Sequence, residues 1–164
     1  QGKGRFLREI PISQLGEDKQ EEMSKNLERY SLYEAYEVRQ VLETKAMDLI
    51  VRNATDSDLD EVETAYQTML LRFAETNTTT GEFELHQLYA KKTGSVFMEQ
   101  TLNIVLSTIL EMMHTTSHNV MDMHQVEEEK ADHRRIIDAL HKRDSSAAQQ
   151  AMYDHIQHTL DILQ

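Results

Sequence analysis

The chain has 164 residues, 17 Lys and Arg against 29 Asp and Glu for a net charge of −12, and no Cys. That length is about one domain with a real core. The charge repels phosphate backbones, the missing thiols exclude disulfides and thiolate metal sites, and no apolar run is long enough for a membrane span or a signal stretch, so the expectation is a soluble, cytoplasmic domain with no membrane partner.

Five Gly and one Pro leave little turn chemistry, which favours long helices over sandwiches, barrels and α/β folds. Residues 1–8, with Gly2, Gly4 and the apolar pair Phe6-Leu7, read as a turn leading into a strand, the tail of something that precedes Gln1. Residues 9–31 pass through Pro11 and a polar stretch and read as a linker, with a short helix over 24–30 as an option. From Leu32 the pattern is helical, and residues 32–164 form the main domain. Leu42, Ala46, Leu49 and Ile50 share one face of the first long helix. Thr55 with Asp58 makes a capping box for the second, and Thr79 with Glu82 another for the third, which Gly94 stops. Ser95 caps a long apolar helix to about Thr116, with Leu102, Leu106, Leu110 and Met113 as its stripe. Residues 115–123 have no clear period. A further helix starts near His124, and Asp144 caps the last. The expected fold is an all-α antiparallel bundle of six to seven helices.

Eight histidines make their placement the informative question. At about 100° per residue, Glu82 and His86 share a face with Leu85 and Tyr89. Taken alone, that pair is more simply a surface pair or a satisfied core histidine. His133 sits amid Ile136, Ile137 and Leu140, and His155 amid Ala151, Met152, Thr159 and Ile162. Buried imidazoles need partners, and one shared metal satisfies all three. Three neutral imidazoles and a carboxylate suit Zn²⁺ or Ni²⁺. The rival pair, His114 and His118, points away from its helix's apolar stripe. Arg39 lies on the inward face with Leu42, Ala46 and Ile50. Its partner is either Glu43, one turn on, or a bound carboxylate, and the sequence leaves the two open. The nine Met read as core filler, and Glu127-Glu128-Glu129 as a solvated helix start.

Several pieces, in order, carry a resemblance: Gly2-Lys3-Gly4-Arg5-Phe6-Leu7, Val38-Arg39-Gln40-Val41-Leu42-Glu43, Ala54 through Leu59, Glu82 with Leu85 and His86, Asp132-His133-Arg134-Arg135-Ile136, and Asp144 through His155. Together the chain resembles the effector-binding domain of GntR-superfamily transcription regulators, in the FadR C-terminal-domain (FCD) branch. The resemblance implies that residues 1–8 end a winged helix-turn-helix domain and that residues 32–164 are a helical effector-binding and dimerisation domain. It also implies a divalent metal on Glu82, His86, His133 and His155. A small carboxylate or sugar acid would bind beside that metal with Arg39 as anion holder, Arg134 and His114 being the next candidates. A homodimer would meet operator DNA only through the N-terminal domain. Glu82 stands where the family usually has Asp, one methylene longer. The alternatives are a metal-dependent enzyme using the same histidines to activate water, for which no general base stands at a recognisable spacing, and a plain helical dimerisation module.

Overall fold

The computed structural model describes residues 17–76, 81–115 and 123–164. Among them are six helices: α1 (Glu17–Asn53), α2 (Asp56–Thr76), α3 (Glu82–Lys92), α4 (Val96–Thr115), α5 (Met123–His141) and α6 (Ser145–Leu163). The fold is all-α, as expected. The linker and optional short helix are, from Glu17 on, the first turns of α1, so no seventh helix stands apart there. The expected tail, residues 1–8, lies outside the described residues.

Cross-helix pairs give the directions. Asp48 accepts from Ser145 near the C-terminal end of α1, and Tyr33 accepts from Gln164 near its middle, so α6 runs antiparallel to α1. Tyr66 on α2 donates to the Lys130 carbonyl while Glu63 meets Arg134, so α2 and α5 are antiparallel too. Arg39 reaches Glu82 and Asn53 reaches Thr93, which makes α3 parallel to α1. This up-and-down succession brings α1, α3, α5 and α6 around one interior.

The helix ends follow local chemistry. Thr55 Oγ1 accepts from Asp58 N (3.1 Å) and Asp58 Oδ2 accepts from Thr55 N (2.8 Å), the reciprocal box expected from the sequence. Ser95 Oγ accepts from Met98 N at 3.3 Å. The start of α3 differs. Its N-cap is Gly81, left-handed at φ 106° and without a side-chain cap, and Thr79 lies outside the described residues. Glu82 is thereby left to point inward. Gly94 ends the next turn at φ 67°, as the stop signal requires.

At α6, Asp144 accepts from Ala147 N at 3.0 Å. Asp144→Ala should cost about 1 kcal/mol, read as a lowered urea midpoint at unchanged slope; an unchanged midpoint would remove the cap from the account.

The core faces are those the periodicity predicts, turned slightly on three helices. On α1 the fully buried positions are Ala46, Met47 and Ile50 with Arg39 and Glu43, while Leu42 and Leu49 are half-buried. On α4 the deep residues are Leu102, Leu106 and Ile109, and Leu110 is partly exposed. On α6 Leu163 is buried and Ile162 is exposed, since one residue further brings the side chain back over α1. His133 shares its stripe with Ile136, Ile137 and Leu140, all at 0 % exposure. No helix of the described residues is long and apolar enough to cross a membrane.

Candidate metal centre

Three helices supply a polar cluster inside the apolar core. From α3 come Glu82 and His86, one turn apart, from α5 His133, and from α6 His155; all four are buried. One donor atom from each lies within 4.8 Å of all the others. His86 Nε2 is 3.2 Å from His155 Nε2, and Glu82 Oε1 is 3.5 Å and 3.7 Å from those two nitrogens. The rings of His133 and His155 have centroids 4.5 Å apart, and His86 stacks on His155 at 5.1 Å. The four residues singled out by facing are therefore brought together.

A neighbouring carboxylate fixes one ring, and two more flank a second. Glu43 on α1 takes the Nδ1 side of His86 through a short hydrogen bond, leaving Nε2 turned to the cluster. The Nδ1 side of His155 faces Asp132 Oδ2 (3.6 Å) and Glu129 Oε2 (3.5 Å), again leaving Nε2 to the centre. Asp132 is itself held by His158 Nδ1 at 2.8 Å and by Arg135.

Arg39 is buried to 1 % exposure against the same cluster. Its Nε donates to Glu43 Oε1 (2.6 Å) and its Nη2 to Glu82 Oε1 (3.2 Å), and the guanidinium lies 5.2 Å from the Tyr36 and Phe83 ring centres. Glu43 is thus a partner of Arg39, and Glu82 is a second one. Arg134 turns to α2, where Nη1 forks onto both Glu63 oxygens at 2.9 Å over the Tyr66 ring. It also pairs with Asp138. The structure does not bring it to the four-residue cluster. His114 falls in the last turns of α4, but its side chain, like all of His118, lies outside the described residues.

The protonation states suit cation binding. Burial, reinforced by His155 and His86, holds His133 well below the ordinary histidine range, and burial lowers His155 as well. Both rings are therefore neutral at pH 7, the form that binds metal. Burial alone would raise the Glu43 carboxyl, but His86 and Arg39 overcome it and bring it down to about 2. Glu82 is likewise driven down against burial by its hydrogen bond to His86 and by Arg39. Glu129 has no such donors, and burial beside Glu82 pushes it well up.

The residues fit a divalent ion on an observation independent of their identity. Both nitrogens of His133, Nδ1 of His155 and Oε2 of Glu129 are buried without a hydrogen-bond partner. Orphaned polar atoms of this kind cost free energy unless a partner meets them, and each neutral ring has one acceptor nitrogen that a cation can meet. An ion there would draw neutral nitrogens and one or more carboxylates, a donor set that suits zinc and nickel.

Three participants escaped the sequence reading. Glu43 reads from the sequence as Arg39's partner, but it serves His86 as well. Asp132 reads only as part of a motif. Glu129 reads as solvated, although its position four residues before His133 was a usable signal for a shared face.

Comparison with known proteins agrees with this architecture. The family described as FCD domain matches residues 34–158. The chain is 24% identical over 168 residues to the HTH-type transcriptional regulator LutR of Bacillus subtilis, covering 99% of this chain and 75% of that protein. Among solved structures, Streptococcus agalactiae GntR superposes with a TM-score of 0.70 at 20% identity, over 92% of this chain and 63% of that one. E. coli McbR/YncC superposes at 0.69 and 15% identity, over 79% and 62%. The chain spans less than two thirds of either solved protein.

Proposed function

The chain belongs to the FCD domain family of GntR-type transcription regulators, and from that membership we propose that it senses a small effector for a DNA-binding domain on its N-terminal side. The site carries no turnover in this reading. It holds one divalent ion, zinc or nickel, through Glu82, His86, His133 and His155. The ion supplies a Lewis-acidic centre for an oxygen ligand. Glu43 and Asp132 keep His86 and His155 turned inward, and Arg39 holds Glu82 and Glu43 in place. The effector is a small carboxylate or sugar acid bound beside the ion, with the remaining guanidinium edge of Arg39 as its cation and Arg134 and His114 as alternates.

The output is a population shift. Glu82, His86, His133 and His155 stand on three helices, so a ligand that pulls on the ion biases how α3, α5 and α6 pack. In a homodimer that packing sets the spacing of two reading heads on a two-fold operator. Val96, Phe97 and Ile104 expose apolar surface on one helix, α4, which supports a second copy as partner. The protein is cytoplasmic in this account, where operator DNA is met.

The observation that carries the reading is the buried cluster in which one donor atom from each of Glu82, His86, His133 and His155 lies within 4.8 Å of all the others. Elemental analysis after dialysis should find about one divalent ion per chain, and His133→Ala should lose it. Undiminished metal content in that variant would sink the ligand set.

A further inference from the structure

The face of α1 turned away from the cluster is apolar where a solvated face is expected. At about 100° per residue, Leu27, Tyr30, Glu34, Val38, Val41 and Lys45 share an arc about 80° wide, opposite Arg39, Glu43 and Ile50. Leu27, Tyr30, Val38 and Val41 are 55%, 62%, 51% and 70% exposed. Single exposed apolar residues need no account, but four in one stripe along a helix do. The stripe also runs beside α4, which exposes apolar residues of its own and packs on α1 where Tyr36 donates to Met113 Sγ.

Charge decides what covers the stripe. Glu34 is exposed, and Lys45 reaches Asp48 of its own chain at 2.6 Å with its side chain still 54% exposed. Two copies of α1 laid parallel about a two-fold axis would set Glu34 against Glu34 and Lys45 against Lys45. Laid antiparallel, with the axis passing midway between residues 39 and 40, the same helices set Val38 against the partner's Val41 and Glu34 against the partner's Lys45. The two-fold operation repeats each pair, so a single register turns like-charge contacts into opposite-charge ones and brings the valines together. We propose that two copies of the chain pair through this face of α1, antiparallel and in that register. This rests on the homodimer reading above and goes beyond it by fixing the helix, its direction and the residues that meet. Arg39 is then level with the axis on the inward side of each helix, so the two metal centres sit back to back across one helix pair. The two Glu17 ends leave from opposite ends of that pair.

The chain has no Cys, so single-cysteine variants report the contact directly. Glu34→Cys and Lys45→Cys chains, mixed and oxidised with diamide, should give a disulfide-linked dimer. Each variant alone should give none, because like positions lie about 16 Å apart along the axis, beyond the reach of a disulfide. Sedimentation equilibrium gives the second readout. Lys45→Glu and Glu34→Lys should each weaken the dimer at least about tenfold, and the double variant should recover most of that loss. The Lys45 pair with Asp48 stays broken in the double variant, so recovery reports the contact between chains. Cross-linking of each variant alone, absence of the mixed cross-link, or a dimer indifferent to the charge reversals overturns the proposal. A wild-type chain that stays monomeric overturns the homodimer reading itself, and that result is seen before any variant is made.

Discussion

Stripping the divalent ion with a chelator should lower the melting temperature by roughly 8–16 °C. An ion present at about a thousand times its Kd stabilises the folded chain by about 4 kcal/mol, and for a chain of this size each kcal/mol moves the midpoint by about 2–4 °C. His133→Ala should melt at one temperature with or without the ion. The increment should also depend on pH, and its sign can be derived. The folded-state values of His133 and His155 lie below the ordinary histidine value, so below about pH 6.5 the unfolded chain binds more protons than the folded one. That contribution is present above this range and is lost as pH falls through it. Glu129 acts the other way in the apo chain. Its folded value is raised, so its contribution is present at low pH and is lost as pH rises through that value. The ion needs neutral imidazoles, and His133 and His155 take up protons only below the ordinary histidine value, so its stabilising increment should be level near neutral pH and fall as pH drops below about 6.5. Thermal melts at three pH values, with and without chelator, measure it. An increment that does not fall at any acid pH where the apo chain is still folded would exclude histidine ligation.

The sequence carried the site further than it carried the site's surroundings, and the reason is geometric. Glu82 with His86, His133 among isoleucines and His155 among small residues each announce an inward side chain by helical period alone. Arg39 announces itself in the same way. What period cannot give is which carboxylate faces which ring across two helices. Glu43 and His86 are 43 positions apart, and only the parallel packing of α1 on α3 brings them together. The one-residue turns of the buried face, to Met47 on α1 and Ile109 on α4, have a similar cause. A helix in a bundle rotates to satisfy all its neighbours at once, and Arg39 with Glu43 must face α3. Glu82 shows the reverse error. As a first-turn acid it reads as a cap, yet the α3 N-terminus is turned by a left-handed glycine and the carboxylate is free for the core. The start of α1 was missed because Glu17 to Ser31 is mostly polar and charged, and its apolar Leu27 and Tyr30 stay exposed, so no core-facing stripe marks the helix.

Arg39→Met should be the most damaging single substitution at the site in the apo chain, costing about 3–5 kcal/mol. Arg39 is the one cation that Glu43 and Glu82 both touch among their described contacts, and all three side chains are at most 5% exposed. Methionine restores the volume between the Tyr36 and Phe83 rings but leaves two buried carboxylates with only the His86 ring to meet them both. Their repulsion then adds to their desolvation, and at least one of them must take up a proton. Glu43→Gln in the same chain removes half of that problem, so the double variant should be more stable than the sum of the single effects predicts. Arg39→Lys keeps the charge without the fork and should fall between wild type and Arg39→Met. Metal should rescue Arg39→Met in part, because a divalent ion at Glu82 replaces one of the lost positive charges. Effector binding separates the two duties of this residue. If the guanidinium also meets the effector's carboxylate, metal-loaded Arg39→Met should bind the best hydroxy acid, dicarboxylate or sugar acid about ten- to a hundredfold more weakly by calorimetry. Equal affinity would confine Arg39 to holding Glu82 and Glu43. A loss of stability under about 1 kcal/mol in the apo chain would show that these carboxylates are neutralised by some other group.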